Sequence, residues 1–387
     1  MKPRAGDVHL QWPGKKVRRP PEGVRFAVRL TEQGSSGSPG RLIAGDNLLV
    51  MAGLLDEGYA GRFTLIYLDP PYGTDSEFSL RRQGAAEVAY QDAWGEGGLR
   101  SYLGAIYRRL GLLRQLLAAE GTLYVHLDRR TCHYVQVLLD EVFGRECCQN
   151  VIVWRREVAR GRKTSARYFG NNVEYLLCYT KSPRGGIWNP VKGEKVISRE
   201  EAERRYRRDE RGYFSTSHRG TYSDAALLNL AKEGRIHVTR GGEIRVEDGR
   251  LSTTRGTIRI KYYLEPRGEG FVKRYAVDNL WDDIRGIAEA GRERCGYPTQ
   301  KPERLLERII EASSRPGDLV GDFYAGSGTT GVVAARLGRP WVMADESSAA
   351  VAVCQSRLRQ HGIPFTLEVA RRLRRGRGGY TDGESCR

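Results

Sequence analysis

Apolar residues occur along the chain in two kinds of run, and the two kinds alternate. Short continuous runs predict buried strands, whereas longer runs with an apolar residue every three or four positions predict amphipathic helices. The predicted strands are RLIAG, FTLIYL, TLYVHLD, NVIVWRR, EYLLCYTK, DLVGDF and WVMAD. The predicted helices are NLLVMAGLL, SYLGAIYRRLGLLRQLLAAEG (ending at Gly121), HYVQVLLDEVFG, PERLLERIIEASS, TTGVVAARLG and AAVAVCQSRLRQHG. Strands that alternate with helices indicate an α/β fold built on a mostly parallel sheet.

This alternation covers two separate parts of the chain, 41–183 and 291–362. Between them, segment 184–290 is densely charged and otherwise predicts short, exposed strands, so we interpret it as an inserted module. Segment 1–40 is a basic arm in which VRFAVRL predicts a strand and the remainder is expected to be disordered in part. Segment 363–387 is a basic C-terminal tail, and its low-complexity part RRLRRGRGGYTDGESCR is expected to be disordered.

Composition supports a folded core and narrows the class of protein. Of the 387 residues, 40% are hydrophobic, which is enough for one or two compact bodies. No apolar run approaches the roughly 18 residues of a transmembrane helix, and the N-terminus lacks the apolar part of a secretory signal. The seven cysteines are odd in number and include no Cys-x-x-Cys pair, which argues against a disulfide framework and a zinc site. These features predict a cytoplasmic protein without a metal or membrane attachment.

The formal net charge of +17, with an isoelectric point near 9.7, indicates what the protein binds more than how it folds. A strongly basic surface attracts polyphosphates such as nucleic acids, because binding releases the counterions condensed on them. An arginine-rich but merely solvated surface has the same composition, so charge alone leaves both interpretations open.

The stretch LIYLDPPYGT contains the first candidate for chemistry. The apolar strand stops at Asp69-Pro70-Pro71-Tyr72, because each proline fixes its own φ and offers no N–H for strand pairing. An ordinary Pro-Pro turn is one interpretation. The other is that a rigid corner holds the Asp69 carboxylate and the Tyr72 ring in fixed relation, which suits a planar ligand carrying an amine.

A second candidate is the glycine-rich stretch GDFYAGSGTTG, which follows one predicted strand and opens a helix. Gly326, Gly328 and Gly331 match G-x-G-x-x-G, and Asp345 ends the next predicted strand. This pattern indicates a site for an adenosine-containing cofactor with a carboxylate on the ribose, although a tight turn needs the same glycines. Asp322 adds a carboxylate that a pyrophosphate would disfavour and a cationic amino-acid group would favour, so S-adenosylmethionine fits better than NAD.

DPPY at 69–72, YPTQKP at 297–302 and DFYAGSGTT at 322–330, in that order, resemble the motifs of β-class DNA amino-methyltransferases, which modify adenine N6 or cytosine N4. The adenine-modifying subunits of type III systems are the most similar in these motifs. The resemblance implies the Rossmann-like sheet of S-adenosylmethionine-dependent methyltransferases. It also implies a circularly permuted order with the catalytic half first, and makes 184–290 a target-recognition insert.

The resemblance gives the rigid corner a chemical role. The Asp69 carboxylate and the Pro70 carbonyl would accept the hydrogens of the target amine and orient its lone pair toward the methyl donor, while Tyr72 stacks on the base. Pro71 keeps the corner rigid. The base lies inside a duplex, so it must be flipped out of the stack to reach this corner. No metal and no covalent intermediate are needed.

Further residues follow position by position from the same resemblance. Phe169 is the candidate aromatic for the flipped base, Val173 stands where the family often has histidine, and the polar loop of residues 73–94 has no assigned role. The residues implied to bind the cofactor are Asp46, Thr299, Gln300, Lys301, Asp322, Ala325, Gly326, Ser327, Gly328, Thr329 and Asp345.

The sequence therefore predicts a site-specific DNA adenine-N6 methyltransferase that uses S-adenosylmethionine and acts on double-stranded DNA. Three alternatives remain open: a cytosine-N4 methyltransferase, an NAD-dependent oxidoreductase and a catalytically silent DNA-binding module. A restriction subunit and a homodimer partner are compatible with the sequence and are not specified by it.

Overall fold

The computed structural model describes residues 8–15, 23–32, 40–72, 76–82, 85–92, 97–157, 167–288, 291–372, 374–376 and 379–381, with the backbone alone for 76–82, 85–92 and the last two stretches. The chain divides into two compact units. The larger unit contains the residues up to Val191 and those from Asp278 onward, and the smaller unit is Lys192–Val277. The smaller unit lies inside the predicted insert 184–290.

The strands, in chain order, are β1 (Val24–Glu32), β2 (Gly40–Ala44), β3 (Phe63–Leu68), β4 (Ser76–Arg82), β5 (Ala85–Asp92), β6 (Leu117–Leu127), β7 (Cys148–Arg155), β8 (Val173–Thr180), β9 (Lys192–Ile197), β10 (Arg207–Asp209), β11 (Gly212–His218), β12 (Ile236–Val238), β13 (Ile244–Glu247), β14 (Arg250–Thr253), β15 (Ile258–Tyr263), β16 (Glu265–Arg267), β17 (Gly270–Ala276), β18 (Leu280–Trp281), β19 (Val320–Asp322), β20 (Trp341–Asp345), β21 (Phe365–Arg372), β22 (Arg374–Gly376) and β23 (Gly379–Thr381). The helices are α1 (Asn47–Asp56), α2 (Gly98–Leu116), α3 (Cys132–Phe143), α4 (Arg199–Arg205), α5 (Asp224–Lys232), α6 (Glu303–Ser313), α7 (Thr329–Arg336) and α8 (Ser348–Gln360), with short 3₁₀ turns at Arg145–Cys147 and Thr239–Gly241.

One large sheet organises the larger unit, in the order β1-β21-β2-β20-β19-β3-β6-β8-β7-β18. The strands from β21 to β6 are all parallel to one another, and β1 and β8 run antiparallel to their neighbours. Every residue of β3 is buried. Because successive side chains of a strand point to opposite faces, this burial means that both faces of the sheet are covered. The predicted α/β class with a mostly parallel sheet is confirmed.

Two groups of helices provide that cover. Helices α1, α2 and α3 contribute to one apolar cluster with alternating residues of β3 and β6, such as Ile66, Leu68 and Val125. Helix α6 packs against α7, and α7 packs against α8 and the adjoining strands. Helix α6 is strongly amphipathic, with Leu305 and Ile309 fully buried, as its spacing predicts. No helix within the described ranges is long and apolar enough to cross a membrane.

Helix α2 ends earlier than the sequence indicates. Gly121 was the expected C-cap, but the helix stops at Leu116 and β6 begins at Leu117, which pairs with Phe63 of β3. The apolar spacing predicts that the helix continues past Leu116, but the residues that follow pair with β3 in the sheet instead. Gly121 has a different purpose, since a Cβ there would lie 2.8 Å from the Phe63 carbonyl oxygen.

The prediction of a C-terminal tail over 363–387 is wrong for its first part. Phe365–Arg372 form β21, which lies between β1 and β2 in the large sheet. Phe365 and Glu368 are buried, and Glu368 accepts two hydrogen bonds of 2.7 Å from the Arg41 guanidinium on β2. The acidic residue of this stretch is therefore paired within the sheet, whereas Arg371 and Arg372 at its end are exposed. In the 1–40 arm, β1 pairs antiparallel with β21, whereas residues 1–7, 16–22 and 33–39 lie outside the described part.

The smaller unit consists of short strands, as its sequence predicts. Its sheets have the orders β10-β11-β15-β12 and β16-β17-β9, and β13 pairs with β14 as a two-stranded ribbon. Helix α5 packs on this framework through Leu227 and Leu230, which form an apolar cluster with Ile236 and Ile260. The unit therefore has a small core of its own.

Candidate active site

A row of carboxylates marks one edge of the large sheet. Parallel neighbours β2, β20, β19, β3 and β6 all point their carboxyl ends toward this edge, and each strand ends at or just before an aspartate. The five residues, in sheet order, are Asp46, Asp345, Asp322, Asp69 and Asp128. In open α/β sheets, ligands bind at this edge, outside the carboxyl ends of the strands.

An open cleft of about 1670 Å³ lies at this edge. The predicted catalytic corner, residues 69–72, forms part of its wall, and so do Asp322 and Asp345. Residues 297–301 of the YPTQKP segment line it as well, which brings all three sequence motifs to one cavity. Residues 73–96 of the loop that follows the corner have no described side chains.

At the corner, both oxygens of the Asp69 carboxylate accept hydrogen bonds. The Tyr72 hydroxyl donates to Oδ1 over 2.7 Å, and the Lys301 ammonium donates to Oδ2 over 2.6 Å. The Lys301 Nζ also lies 5.2 Å from the centre of the Tyr72 ring. Burial, together with the charges of Asp69 and Glu174, holds the pKa of Tyr72 well above its ordinary value, so the hydroxyl remains a donor. The corner is thus a pre-formed acceptor with an aromatic face beside it.

Behind Lys301 lies a second carboxylate, Glu174 on β8, that the motifs did not indicate. Its Oε2 is 4.0 Å from Lys301 Nζ and 2.8 Å from His126 Nε2, and its Oε1 is 3.0 Å from the Arg156 guanidinium. His126 is fully buried on β6, and its Nδ1 lies 2.7 Å from the Tyr67 hydroxyl. The structure thus places His126 in the network that surrounds the corner.

The pKa values follow from this crowding of charges. Burial alone would raise the pKa of Glu174, but the Lys301 charge and the His126 contact outweigh burial and lower that pKa to about 2. Burial would lower the pKa of Lys301, but the charges of Asp69 and Glu174 outweigh it and raise that pKa. Lys301 and Glu174 are therefore both charged at neutral pH, although each side chain is at most 10% exposed.

Asp322 occupies the end of β19, next to β3. Its Oδ2 accepts a hydrogen bond of 2.5 Å from the Thr330 hydroxyl, and its Oδ1 accepts one of 3.0 Å from the Tyr324 N–H. Burial raises the pKa of Asp322 to about 7, and the negative charges of Asp69 and Asp345 act in the same direction. A buried carboxylate with a pKa raised this far is suited to a cationic ligand group, because a positive charge would stabilise its ionised form.

The glycine-rich turn between β19 and α7 is shaped for close approach. Gly326 and Gly328 have φ of 51° and 76°, in the left-handed region, and Gly328 is the N-cap of α7. Asp345, at the end of β20, accepts hydrogen bonds from the N–H groups of Gly326 (2.8 Å) and Ser347 (2.9 Å). The turn thus holds the Asp345 carboxylate in place at the edge of the cleft, where it suits a diol.

Asp46 is placed differently from the other predicted cofactor residues. Its carboxylate caps α1 by accepting from the Leu48 N–H (2.9 Å) and pairs with Arg109 over 2.8 Å. The neighbouring Asn47 lines the cleft instead, and it donates to the Phe323 carbonyl over 2.6 Å while accepting from Arg109. Asp46 therefore positions Arg109, which also lines the cleft.

The YPTQKP segment is held by contacts within its own neighbourhood. Gln300 donates to the Glu293 carbonyl over 2.7 Å and accepts from the Cys295 N–H over 2.9 Å, so its amide is already engaged. The Lys301 carbonyl accepts from the Thr329 hydroxyl over 3.2 Å, which ties the segment to the glycine-rich turn. Thr299 also lines the cleft.

Most of the predicted site residues line the cleft. They are Asp69, Pro70, Pro71, Tyr72, Thr299, Gln300, Lys301, Asp322, Ala325, Gly326, Ser327, Thr329 and Asp345. Asp46 and Gly328 support it from outside the lining, and Phe169 is fully exposed on the segment before β8. The motifs gave no indication of Glu174, Arg156, Trp154, Asn47 or Arg109, which also line the cleft.

Comparison with known proteins identifies relatives of this arrangement. The family model N6_N4_Mtase, described as DNA methylase, matches residues 63–356. The type II methyltransferase M.EcaI of Enterobacter cloacae is 30% identical over 369 residues, which cover 90% of this chain and 76% of the relative. The Mod subunit of the type III restriction-modification enzyme StyLTI, from Salmonella typhimurium, is 24% identical over 348 residues, and the match covers 74% of this chain and 48% of that subunit.

A third relative matches over a shorter stretch. The DNA adenine methyltransferase YhdJ of Escherichia coli is 36% identical over 134 residues, which cover 35% of this chain and 44% of the relative. The chain thus spans most of the M.EcaI sequence but about half, or less, of the other two relatives.

Proposed function

The chain belongs to the N6/N4 family of DNA methylases, and on that basis we propose that it methylates the exocyclic N6 of adenine in duplex DNA with S-adenosylmethionine as the methyl donor. The predicted family, enzyme class and cofactor are confirmed. The target base and the residue roles are proposals. The observation that carries them is the corner itself, where Asp69 and Tyr72 face the same cleft as the buried Asp322.

The described residues fit the methyl donor. Asp322 would meet its cationic amino group, since the buried carboxylate gains most from a positive partner. Asp345 would accept from its ribose hydroxyls, and Gly326, which has a φ of 51° and no side chain, would allow the donor to approach the backbone closely. When bound, the donor supplies a methyl group on a sulfonium, which needs no activation by the protein.

Asp69 and Tyr72 supply orientation. The amine of adenine is a weak nucleophile because its lone pair is delocalised into the ring. A carboxylate and a backbone carbonyl that accept the amine hydrogens draw the nitrogen toward tetrahedral geometry and direct its lone pair at the methyl carbon. The Pro70-Pro71 backbone fixes these acceptors, and the Tyr72 ring provides a surface on which an extruded base stacks.

Two points favour adenine over cytosine. The corner begins with aspartate, which in this family is associated more often with adenine, and one relative is named as a DNA adenine methyltransferase. Cytosine N4 is the alternative, because an exocyclic amine on a smaller ring presents the same two hydrogens to Asp69.

The smaller unit is the proposed target-recognition module. Its exposed surface carries Tyr222 and Tyr262 with arginines beside them, such as Arg235, whose guanidinium lies 5.8 Å from the centre of the Tyr262 ring. Arginines suit phosphates, and exposed aromatic rings suit bases. A restriction subunit, a homodimer and a cytoplasmic location remain predictions; the first is suggested by the relative named as a Mod subunit.

The deciding experiment follows labelled methyl from S-adenosylmethionine into unmodified duplex DNA and identifies the modified base by mass spectrometry. N6-methyladenine is the expected product. Asp69→Ala is the control, and it should abolish transfer while leaving donor affinity within about twofold, because Asp69 faces the target base. N4-methylcytosine would keep the mechanism and change the base, whereas no transfer by wild-type protein with bound donor would overturn the proposal.

A further inference from the structure

The Lys301 ammonium has two carboxylates within reach, the half-buried Asp69 and the buried Glu174. Nζ lies 2.6 Å from Asp69 Oδ2 and 4.0 Å from Glu174 Oε2. Sequence motifs alone assign this lysine to the amino-acid end of the cofactor, but in the structure its charge is directed at the catalytic corner. The side chain is 10% exposed, so its charge is screened little by solvent.

The resting contact conflicts with the proposed reaction. Asp69 has to accept a hydrogen from the target amine, but Oδ1 already accepts from Tyr72 and Oδ2 from Lys301, so an incoming N–H would have to share Oδ2 with a positive charge. As the methyl group arrives, the amine nitrogen becomes cationic, and an ammonium held on the same carboxylate would repel it. Because the Lys301 and Asp69 side chains are only 10% and 17% exposed, that repulsion acts on the transition state with little screening.

Glu174 offers the ammonium an alternative partner. It is ionised in spite of its burial. Arg156 (3.0 Å) and His126 (2.8 Å) hold its carboxylate in place. A shift of Nζ by little more than 1 Å would exchange the close contact with Asp69 for one with Glu174. The change needs only side-chain rotation in Lys301, whose flexible stem allows it.

On the basis of the proposed function, we infer that Lys301 is a positioning residue that moves: its ammonium orients Asp69 in the unliganded cleft and passes to Glu174 when the target amine docks. No proton is transferred in this step. The movement leaves Asp69 Oδ2 to the amine hydrogen and shifts the positive charge away from the reacting nitrogen by about the same 1 Å. Lys301 and Glu174 thus act on the catalytic step and not on donor binding.

Glu174→Gln and Lys301→Met test the inference singly and together. Glu174→Gln keeps an acceptor oxygen but removes the negative charge that draws the ammonium away from Asp69, and kcat should fall by at least about tenfold. Lys301→Met removes the obstruction, so the double variant should be as active as Lys301→Met and faster than Glu174→Gln. Glu57→Gln, which removes a carboxylate from an ion pair with Arg41 elsewhere in the fold, is the matched control and should leave kcat unchanged.

Donor binding separates this role from cofactor binding. The dissociation constant of S-adenosylmethionine, measured by calorimetry, should stay within about twofold of wild type in Lys301→Met. A rise of tenfold or more in this dissociation constant would show that Lys301 binds the cofactor, and it would overturn the inference. A double variant slower than either single variant would also overturn it, because independent structural losses multiply.

A crystal structure of the wild-type protein with duplex DNA and sinefungin, a donor analogue, tests the movement without relying on variants that fold poorly. Nζ should lie within hydrogen-bond distance of Glu174 and beyond that distance from Asp69, and an Nζ that stays on Asp69 would refute the movement. Lack of methyl transfer by wild-type protein would reject the proposed function and the inference with it. Transfer by wild type with additive losses in the variants would reject the inference alone.

Discussion

Asp322 pairs in register with Tyr67 on the adjacent parallel strand, so that Asp69, two residues further along β3, lies next to it at the same edge of the sheet. The carboxylate proposed for the donor and the carboxylate proposed for the target base are therefore neighbours in space, although they are far apart in sequence. Their proximity also contributes to the raised pKa of Asp322. Donor and acceptor sites are thus coupled electrostatically before either ligand binds.

This coupling predicts that donor affinity depends on pH. The pKa of Asp322 is about 7 in the unliganded fold, against an ordinary value of 3.8. Below pH 7 the cationic amino group of the donor must displace a proton from Asp322, so the dissociation constant should rise as pH falls from 7.5 to 5.5, by at most about tenfold per unit. Calorimetric titrations at several pH values would measure the change.

Asp322→Asn is the control for that titration, since it cannot ionise. It should bind the donor weakly and with little pH dependence over the same range; an unchanged pH dependence would assign the titration to another group.

The free energy of unfolding of the unliganded protein should depend on pH in the opposite direction. Between pH 4 and 7 the unliganded native state keeps a proton that the unfolded chain has lost, so Asp322 should lower the free energy of unfolding as pH rises through this window.

Tyr72 has two separable functions, one for its hydroxyl and one for its ring. Tyr72→Phe removes only the donor to Asp69 Oδ1 and should lower kcat by roughly tenfold while keeping base binding. Tyr72→Ala removes the stacking surface as well and should cost a further 1–3 kcal/mol, roughly, in binding of the extruded base. Fluorescence of 2-aminopurine at the target position would report base binding, and equal effects of the two variants would argue against stacking.

Gly328 should tolerate no side chain. Its φ is 76°, and a Cβ there would lie 3.0 Å from Cys354 Sγ, so Gly328→Ala combines backbone strain with crowding. Gly338 is a matched control, because its φ is 74° but the nearest atom to an added Cβ is 4.0 Å away. Urea denaturation should show a loss of about 1–2 kcal/mol from strain in both variants, with a larger loss in Gly328→Ala.

Replacement of Lys192–Val277 by a short Gly/Ser linker tests the division of labour between the two units. Because the proposed donor site consists of residues from the larger unit alone, donor affinity should change by less than about threefold, whereas selective methylation of one DNA sequence should be lost. Calorimetry and sequencing of methylated products would measure the two effects. Parallel loss of donor affinity in a folded variant would show that the smaller unit is needed to maintain the cleft.

The sequence predicts the elements that carry motifs and misses the contacts between them. Strand β3 and helix α6 follow directly from apolar runs, and the corner at Asp69 and the turn at Gly326 follow from prolines and glycines with a local physical reason. Glu174 carries no such signal, because its role depends on the β6–β8 pairing that brings it beside His126. Strand β21 lies within the predicted tail, because its place in the sheet depends on pairing with β1 and β2 and on the contact of Glu368 with a distant residue, Arg41.

The row of aspartates along the sheet edge has a consequence for a protein whose net charge is +17. Three of the five carboxylates lie against cations: Asp46 against Arg109, Asp69 against Lys301 and Asp128 against Arg130. Asp322 and Asp345, on the neighbouring strands β19 and β20, accept instead from a hydroxyl and from backbone N–H groups. The negative charge of the edge is therefore concentrated at these two strand ends, where a cationic donor is attracted and a phosphate is repelled.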